Sequence, residues 1–408
     1  YEIGVRLVGS EMCIRDRFSS AIENHFMRIA YDAKRLFNNF TGLGNYSRTL
    51  LDGQLKNYPE DLHLLYTPKV RATEQTQPYI RRNRCRVVRP GALFPGGFWR
   101  TFGLAGRAAK DRADLFHGLS HELPIGLVRR RIPSVVTMHD VAWHTFPQMY
   151  HAIDRRIYDL KAHYACRYAT RIVAISESTK RDVMQYYGVG EEKISVVYQP
   201  AQPLFYHPPT LEMAHRIARV AVEDLPQDYL LYVGAINSRK NLLGLVKAVE
   251  QLPAADRLPL LIVGRGREYE AEVRKYVAEH HLDAIIRFLP HIRKNEDLQA
   301  LYCCARAFVY PSFYEGFGLP VVEAMLSSCP VVTTSVSSLP EAGGPAALYV
   351  APDSVEELTA ALQVVVNDES RRQAMITRGL EHAQTTFSPD ALARRMHDLY
   401  EEVITGRL

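Results

Sequence analysis

Several things this sequence does not have narrow it before anything it does have. No apolar run approaches the roughly 18–20 residues that a helix needs to cross a bilayer, and stretches such as Leu230–Val233 and Leu260–Val263 are only strand-length. The six cysteines include no Cys-x-x-Cys pair and no metal-ligand spacing, and only Cys303 and Cys304 are adjacent, in an Ala-rich apolar stretch. That usage reads as reduced, packed thiols in a cytoplasmic protein. There is no Gly-x-Gly-x-x-Gly fingerprint, which leaves a nicotinamide enzyme unsupported. No Asp-x-Asp occurs either, so the paired carboxylates that often seat a metal-bridged diphosphate are missing and no metal is expected. The basic runs Arg81–Arg86 and Arg129–Arg131 carry no recognisable nucleic-acid reading motif, so nucleic acid is set aside as a partner.

What is present is an ordinary globular composition, with 47% hydrophobic and 23% charged residues and a formal net charge of +5. That excludes collagen-like, coiled-coil and disordered chains. At about 150 residues per domain, a chain of 408 residues suggests two or three domains. Residues 1–26 show no sustained helical or strand period, and charges interrupt any signal-like apolar core. They are expected to be a non-native or disordered leader, the first seventeen resembling translated read-through, with Met27 opening the folded chain.

From Met27 onward short β-rich runs alternate with helical patterns, the signature of βαβ units and parallel sheets. Strands are expected at Arg28–Asp32, Leu62–Tyr66, Arg86–Val88, Leu115–His117, Ser134–Met138 and Arg171–Ile175, with helices at Asn45–Leu55, Ile153–Tyr168 and Glu177–Tyr187. Four prolines within Pro200–Pro209 mark a linker. A second series follows: strands Tyr229–Val233, Leu258–Val263, Ile285–Phe288, Ala307–Tyr310 and Val331–Thr333, with helices Leu242–Leu252, Arg267–Glu279, Asn295–Cys304, Val321–Ser327 and Val355–Val366. Ser388-Pro389 starts a last helix running to about Thr405. The expected architecture is α/β, with two Rossmann-like parallel-sheet domains, residues 27–205 and 206–387, facing across a cleft, and a last helical segment at 388–408.

In open parallel sheets ligands bind beyond the carboxyl ends of the strands, so the loops there hold the candidate site. Gly42 and Gly44 open a helix after the first strand, where backbone can approach an anion. His139-Asp140 follows Ser134–Met138 and offers a group able to move protons near neutral pH. Gly234 leads into Arg239-Lys240, two cations at a helix start where the dipole disfavours them, a pairing suited to a diphosphate. Gly264 closes the next strand of that half. The richest segment is Pro311–Ala324: Glu315, Gly316, Phe317, Gly318 and Leu319 lead into a helix that carries Glu323 near its start. Glu323 has a plain role available as an acidic residue near a helix N-terminus; Glu315 has none.

Taken together, these segments resemble the retaining glycosyltransferases of the GT-B fold, family 4, over about residues 27–405. Glu315 and Glu323 match the family's E-x7-E pattern, and GAINSRKN (Gly234–Asn241) is similar to its donor-phosphate segment, with Ile236-Asn237-Ser238 replacing the usual acidic-proline lead. Thr41–Tyr46, Met138–Asp140 and LPEAGG (Leu339–Gly344) resemble three further family segments. The resemblance implies transfer of a sugar from a nucleotide-diphosphate donor, with Arg239 and Lys240 on the leaving diphosphate, Glu323 on the ribose, and Glu315 and His139 on the sugar. By the same resemblance residues 27–205 form the acceptor side, 206–387 the donor side, and 388–408 a helix crossing back to the N-terminal domain. TMHDVAWHTFP and FHGLSHELP look most like mannosyltransferases of bacterial surface-polysaccharide assembly, which favours GDP-mannose and a glycan or lipid-linked acceptor. The basic runs then suggest peripheral contact with an anionic membrane. A sugar-nucleotide-binding regulatory protein, an epimerase and a phosphorylase are the rivals.

Overall fold

The structure, a computed structural model, describes residues 26–91 and 95–406. Apart from Phe26, the expected leader lies outside the described residues. Short runs rich in β-branched and aromatic residues form thirteen strands among the described residues, all paired in parallel. The N-terminal sheet contains β1 (Arg28–Asp32), β2 (Leu62–Tyr66), β3 (Cys85–Val88), β4 (Leu115–Gly118), β5 (Ser134–Met138), β6 (Arg171–Ala174) and β7 (Ile194–Val196), in the order β3-β2-β1-β4-β5-β6-β7. The C-terminal sheet contains β8 (Leu230–Val233), β9 (Leu260–Val263), β10 (Ile286–Phe288), β11 (Ala307–Tyr310), β12 (Val331–Thr334) and β13 (Leu348–Val350), in the order β10-β9-β8-β11-β12-β13. Helices cover both faces of each sheet, which is why central strands such as SVVTM of β5 are buried at every residue instead of alternating.

Both sheets reverse strand order at one place, between β1 and β4 and between β8 and β11. Loops leaving these strands diverge to opposite faces and open a crevice at the strand ends. Arg239-Lys240 follows β8 and Glu315 follows β11, so the topology alone brings the two cations and the carboxylate to one crevice.

Local signals explain several helix ends. Ser176 Oγ accepts the Thr179 N–H at 2.9 Å and caps helix Glu177–Tyr187, which closes on Gly188 in the left-handed region at φ 61°. At helix Val355–Asn367, Ser354 Oγ accepts the Glu357 N–H at 3.1 Å, while the Glu357 carboxylate takes the Ala351 N–H at 2.8 Å instead of that of Ser354. Other ends differ from expectation. The helix expected from Asn45 begins at Gly42, and the one expected from Val321 begins at Leu319, with Gly318 as its N-cap at φ 100°. Strands β7 and β13, three residues each, and helices Leu211–Ala221 and Glu369–Thr386 were not expected, although Thr210 and Asp368 cap the two helices by accepting the Met213 and Arg371 N–H groups.

The proline-rich linker is anchored. Its turn Pro203–Tyr206 buries Phe205 completely, edge-on to Tyr302 with ring centroids 6.2 Å apart. The final helix, Pro389–Thr405, lies against the N-terminal domain: the Gln54 amide donates to the Ala393 carbonyl at 2.8 Å, and the Tyr400 hydroxyl meets His117 Nδ1 at 2.7 Å.

Because Phe205 fills its site fully, Phe205→Ala is expected to cost about 3–5 kcal/mol of stability. Urea unfolding measures this, and a loss below about 1 kcal/mol would show that the linker is not an anchored part of the core.

Candidate active site

Glu315 is the hub of the C-terminal half of the crevice. Its Oε1 receives Lys240 Nζ at 2.9 Å and the Tyr310 hydroxyl at 3.0 Å, and its Oε2 meets Arg239 Nη1 at 3.1 Å. Lys240 Nζ also donates to the Tyr310 hydroxyl and sits over that ring, 4.6 Å from its centroid. All three charged side chains are largely buried. Burial alone would raise the Glu315 carboxyl, but Lys240 and Arg239 overcome it and hold the group down at about 2. Burial also lowers the Lys240 ammonium, against the opposing pull of Glu315. Two cations against one carboxylate leave this cluster one positive charge in excess, in a site nearly closed to water.

The cations do not sit where the helix dipole would oppose them most. Ser238–Lys240 is a 3-10 turn, and Asn241, left-handed at φ 53°, separates it from helix Leu242–Gln251. The turn is tied to the facing loop, since the Phe313 N–H donates to the Arg239 carbonyl at 2.8 Å and Arg239 itself donates to the Tyr314 carbonyl.

Beyond Glu315 the chain enters helix Leu319–Leu326. Among the described residues, the backbone N–H groups of Gly316, Phe317, Gly318 and Leu319 donate to no protein group, and they gather at the positive end of that helix. Such an end is built for a phosphate. The Phe317 side chain points elsewhere: it is buried between Tyr198 and Phe387, with ring centroids 5.7 and 5.2 Å away. Because the helix starts at Leu319, Glu323 falls in its second turn, and the plain role of an acidic first-turn residue does not apply. Its carboxyl is buried and makes no hydrogen bond or ion pair among the described residues; burial pushes it up to about 8. An unpartnered buried carboxyl is costly unless something else supplies the partner.

On the N-terminal side His139 is buried with both ring nitrogens engaged. Nε2 lies 2.9 Å from the Leu119 carbonyl, so it carries the proton, and Nδ1 accepts from the Gln199 amide at 3.3 Å. Burial, with His121 alongside, lowers the ring to about 3, so it is neutral and has no nitrogen free for proton transfer in this arrangement. The candidate glycines divide by what lies next to them. A Cβ on Gly42 would meet nothing, whereas one on Gly44 would strike the Asn39 carbonyl oxygen at 1.8 Å; one on Gly264 would strike that of Gly234 at 1.9 Å. Gly44 and Gly264 therefore have packing reasons inside the chain, Gly234 has a backbone reason at φ 152°, and Gly42 is the open one.

The two halves meet across a seam that the sequence did not reveal. A Cβ on Gly316 would sit 2.0 Å from the His139 carbonyl oxygen, so only glycine permits this approach. The Gly316 carbonyl accepts from Ser176 Oγ at 2.7 Å, and the Tyr314 hydroxyl donates to Asp182 at 2.7 Å. Glu341, within LPEAGG, takes the Glu177 and Ser178 N–H groups at 2.7 and 2.8 Å, capping an N-terminal-domain helix from the other domain. His121, left-handed at φ 55°, accepts the His139 N–H at 3.0 Å and orders that strand end. Among the described residues one group of three possible metal ligands occurs, His397, Asp398 and Glu401. It lies where His397 meets Asp61, at the start of β2 and the far edge of the sheet from these loops.

Two Rossmann-like sheets closed on such a seam are the GT-B architecture. Residues 41–202 match the family described as glycosyltransferase family 4, and residues 215–382 match glycosyl transferases group 1. The O-antigen chain mannosyltransferase B of Escherichia coli is 34% identical over 289 residues, 68% of this chain and 72% of that one. The O-antigen chain mannosyltransferase RfbU of Salmonella typhimurium is 26% identical over 337 residues, 81% of this chain and 88% of that one. Among solved structures, Anabaena HepE in complex with UDP-glucose superposes with a TM-score of 0.71 at 18% identity, covering 93% of this chain and all of that one. The chain belongs to this group 1, family 4 glycosyltransferase family.

The unpartnered Glu323 carboxyl makes stability depend on pH. Its folded value of about 8 lies above the ordinary 4.5, so between these the folded state holds a proton that the unfolded state releases. Stability from this group is full below about 4.5 and falls as pH rises through 8. Glu323→Gln is therefore expected to raise the melting temperature relative to the parent more at pH 8.5 than at pH 5. Parallel melting profiles across that range would rule the assignment out.

Proposed function

We propose that this glycosyltransferase is a retaining, metal-independent enzyme that moves a hexose from a nucleotide-diphosphate sugar to a hydroxyl of a glycan or lipid-linked acceptor. Mannose from GDP-mannose is the favoured donor, and bacterial surface-polysaccharide synthesis the favoured setting. The observation that carries this reading is the buried Arg239–Lys240 pair with its excess positive charge, beside the unpaired N–H groups of Gly316–Leu319. A diphosphate leaving group gains negative charge as the sugar–oxygen bond breaks, and preorganised cations in a dry site stabilise that charge best. With no Asp-x-Asp in the sequence, these cations take the neutralising part. The uncommitted Glu323 carboxyl suits ribose hydroxyls. The O-antigen mannosyltransferase relatives support mannose, and the neighbour holding UDP-glucose supports a nucleotide sugar.

Neither Glu315, clamped and held at about 2, nor His139, with both nitrogens engaged, is poised as a general base. We take the acceptor's proton to leave on the departing diphosphate oxygen. That arrangement places nucleophile and leaving group on one face of the sugar and retains its configuration.

Two further parts of the reading concern place. The five cysteines among the described residues are free thiols, including the adjacent Cys303 and Cys304, which suits a reducing cytoplasm. No helix of the described residues is long and apolar enough to cross a membrane. Yet helix Ala152–Tyr168 buries Ala162, Ala165 and Cys166 and turns Ile153, Ile157, Leu160 and Tyr168 outward on its opposite face, with Ile153 75% exposed. Arg156 and Arg167 flank that stripe, and Arg129–Arg131 are exposed after Val128. Apolar side chains rimmed by arginine suit the surface of an anionic bilayer.

Incubation with a panel of nucleotide sugars, reading nucleoside diphosphate release, tests the activity. Release is expected from one donor, GDP-mannose first, without loss in EDTA; release from none would leave only a binding or regulatory protein. Lys240→Ala leaves Glu315 paired with Arg239, so the fold should persist while kcat falls about 10²–10³-fold. An unchanged rate would remove Lys240 from the site. Flotation with phosphatidylserine vesicles is expected to show salt-sensitive binding that Ile153→Glu weakens, and no flotation at low salt would refute the membrane contact.

A further inference from the structure

A buried hydrogen-bond chain crosses the N-terminal domain, and neither the charge cluster nor the seam makes use of it. The Tyr46 hydroxyl lies 2.9 Å from Thr137 Oγ1, Thr137 Oγ1 lies 2.8 Å from His117 Nε2, and His117 Nδ1 lies 2.7 Å from the Tyr400 hydroxyl. Tyr400 bonds onward to Tyr31, whose hydroxyl is 3.3 Å from His63 Nδ1. All of these side chains are buried, between the N-terminal sheet and the two helices that carry Tyr46 and Tyr400, Gly42–Asn57 and Pro389–Thr405. Thr137 comes from TMHDVAWHTFP and His117 from FHGLSHELP, segments that the sequence singled out but that the site above leaves partly unexplained.

One direction satisfies the chain best. Burial lowers His117 to about 3 and His63 to about 4, so each is a neutral ring with one N–H and one lone pair. Thr137 Oγ1 is the sole protein partner of the Tyr46 hydroxyl among the described residues, so Tyr46 donates to it. Thr137 then donates to His117 Nε2, and His117 carries its proton on Nδ1 and donates to Tyr400. The opposite order would leave the buried Tyr46 proton without an acceptor, the costly case for a polar group. His63 Nε2 lacks a partner in either order and does not decide between them.

Resting on the glycosyltransferase reading above, we infer that Tyr400 is a positioning residue of the crevice. Through His117 and Thr137, in a chain that runs one way, it fixes Tyr46, and with Tyr46 the Gly42 end of that helix and the His139 ring. Tyr46 sits one turn beyond Gly42, the open glycine at the crevice, and its ring stands edge-on to His139, with centroids 4.7 Å apart and planes at 89°. The far half of the same helix is tied to the final helix by Gln54 and Lys56, so near Tyr46 the polar link between the two helices is this chain. No inner member can turn without unmaking a buried bond on each side of it. The final helix starts just after Phe387, whose ring meets Phe317 at 5.2 Å beside the free amides of Gly316–Leu319. One stretch of chain therefore runs from the phosphate-suited loop to the interior of the other domain.

The test is nitrogen NMR of the full chain with ring-labelled histidine, with nucleotide-sugar turnover as a second readout. Wild type is expected to show His117 as the Nδ1–H tautomer and His139 as the Nε2–H tautomer. Tyr400→Phe and Thr137→Val delete a hydroxyl and keep the shape of the side chain. Each should shift the His139 ring signals, and the double variant should shift them no further than either alone. In both, kcat should fall about tenfold while donor KM stays within about twofold of wild type, and Thr137→Ser should restore signals and rate together. Lys56→Met cuts an exposed tie between the same two helices and should change neither. His139 signals that stay in place in Tyr400→Phe and Thr137→Val, or shifts that add in the double variant, overturn the positioning role, as does an Nε2–H tautomer for His117 in wild type. Turnover of no nucleotide sugar, with the His139 signals moving as expected, overturns the transferase reading and leaves the chain standing.

Discussion

A buried carboxylate must be paired, and the pairing of Glu315 organises much of the crevice around it. Taking the charges of Glu315, Arg239 and Lys240 out of water costs several kcal/mol per ion, and only close geometry and added hydrogen bonds recover it. Tyr310 supplies one such bond, and the ties from Ser337 and Ser338 hold the Glu315 backbone in place, at 2.9 and 2.8 Å. Each group that pins the carboxylate also pins the cations. On the proposed reading they meet an incoming anion with little reorganisation, the condition under which electrostatic stabilisation is most effective.

The same loop also joins the two domains. Glu315 faces the cations of its own domain, while the next residue, Gly316, seats against the His139 carbonyl of the other and accepts from Ser176. A shift of the N-terminal domain along this seam therefore acts on the peptide adjoining the clamped carboxylate. Glu341 adds a second tie whose strength comes from orientation: its two oxygens meet the first N–H groups of helix Glu177–Tyr187, where the dipole is positive. The domain closure seen here is thus held by a glycine contact and a trans-domain helix cap, with the charge cluster directly alongside.

How much of this could be read from the sequence depends on the range of the interaction. Strands such as Leu62–Tyr66, Ser134–Met138 and Ala307–Tyr310 were legible to the residue, because buried parallel strands are continuous apolar runs bounded by polar loops. Edge strands β7 and β13 were not, each being only three residues long, although β10, equally short and also at an edge, was. In the site, Glu315 stood out because a carboxylate in a glycine loop has no local reason to be there. Glu341 and His121 sat in segments that the sequence singled out, LPEAGG and FHGLSHELP, but their partners did not show there, as the groups they bind lie 164 and 18 residues away. Glu323 was placed one turn too early in its helix because Gly318, left-handed at φ 100°, starts the helix before Val321. The glycines at 44 and 264 looked like ligand approaches, but the backbone each one admits is the protein's own.

Both halves of the crevice hold carboxylates under a surplus of cations, and what differs is the backbone beside them. Around Glu315 the cations outnumber the carboxylate, and the nearby Glu323, pushed up to about 8, stays largely uncharged at neutral pH, so that side has a standing deficit of negative charge. At the β1 and β4 ends of the other sheet, Asp32 and Glu122 are met by Arg100 and Lys161, and Lys34 also pulls on Glu122, so cations outnumber carboxylates there as well. On the proposed reading, a diphosphate entering the first site relieves its imbalance. The first site also has beside it the N–H groups of Gly316–Leu319, which donate to no protein group among the described residues, so the backbone adds to the pull on an anion there.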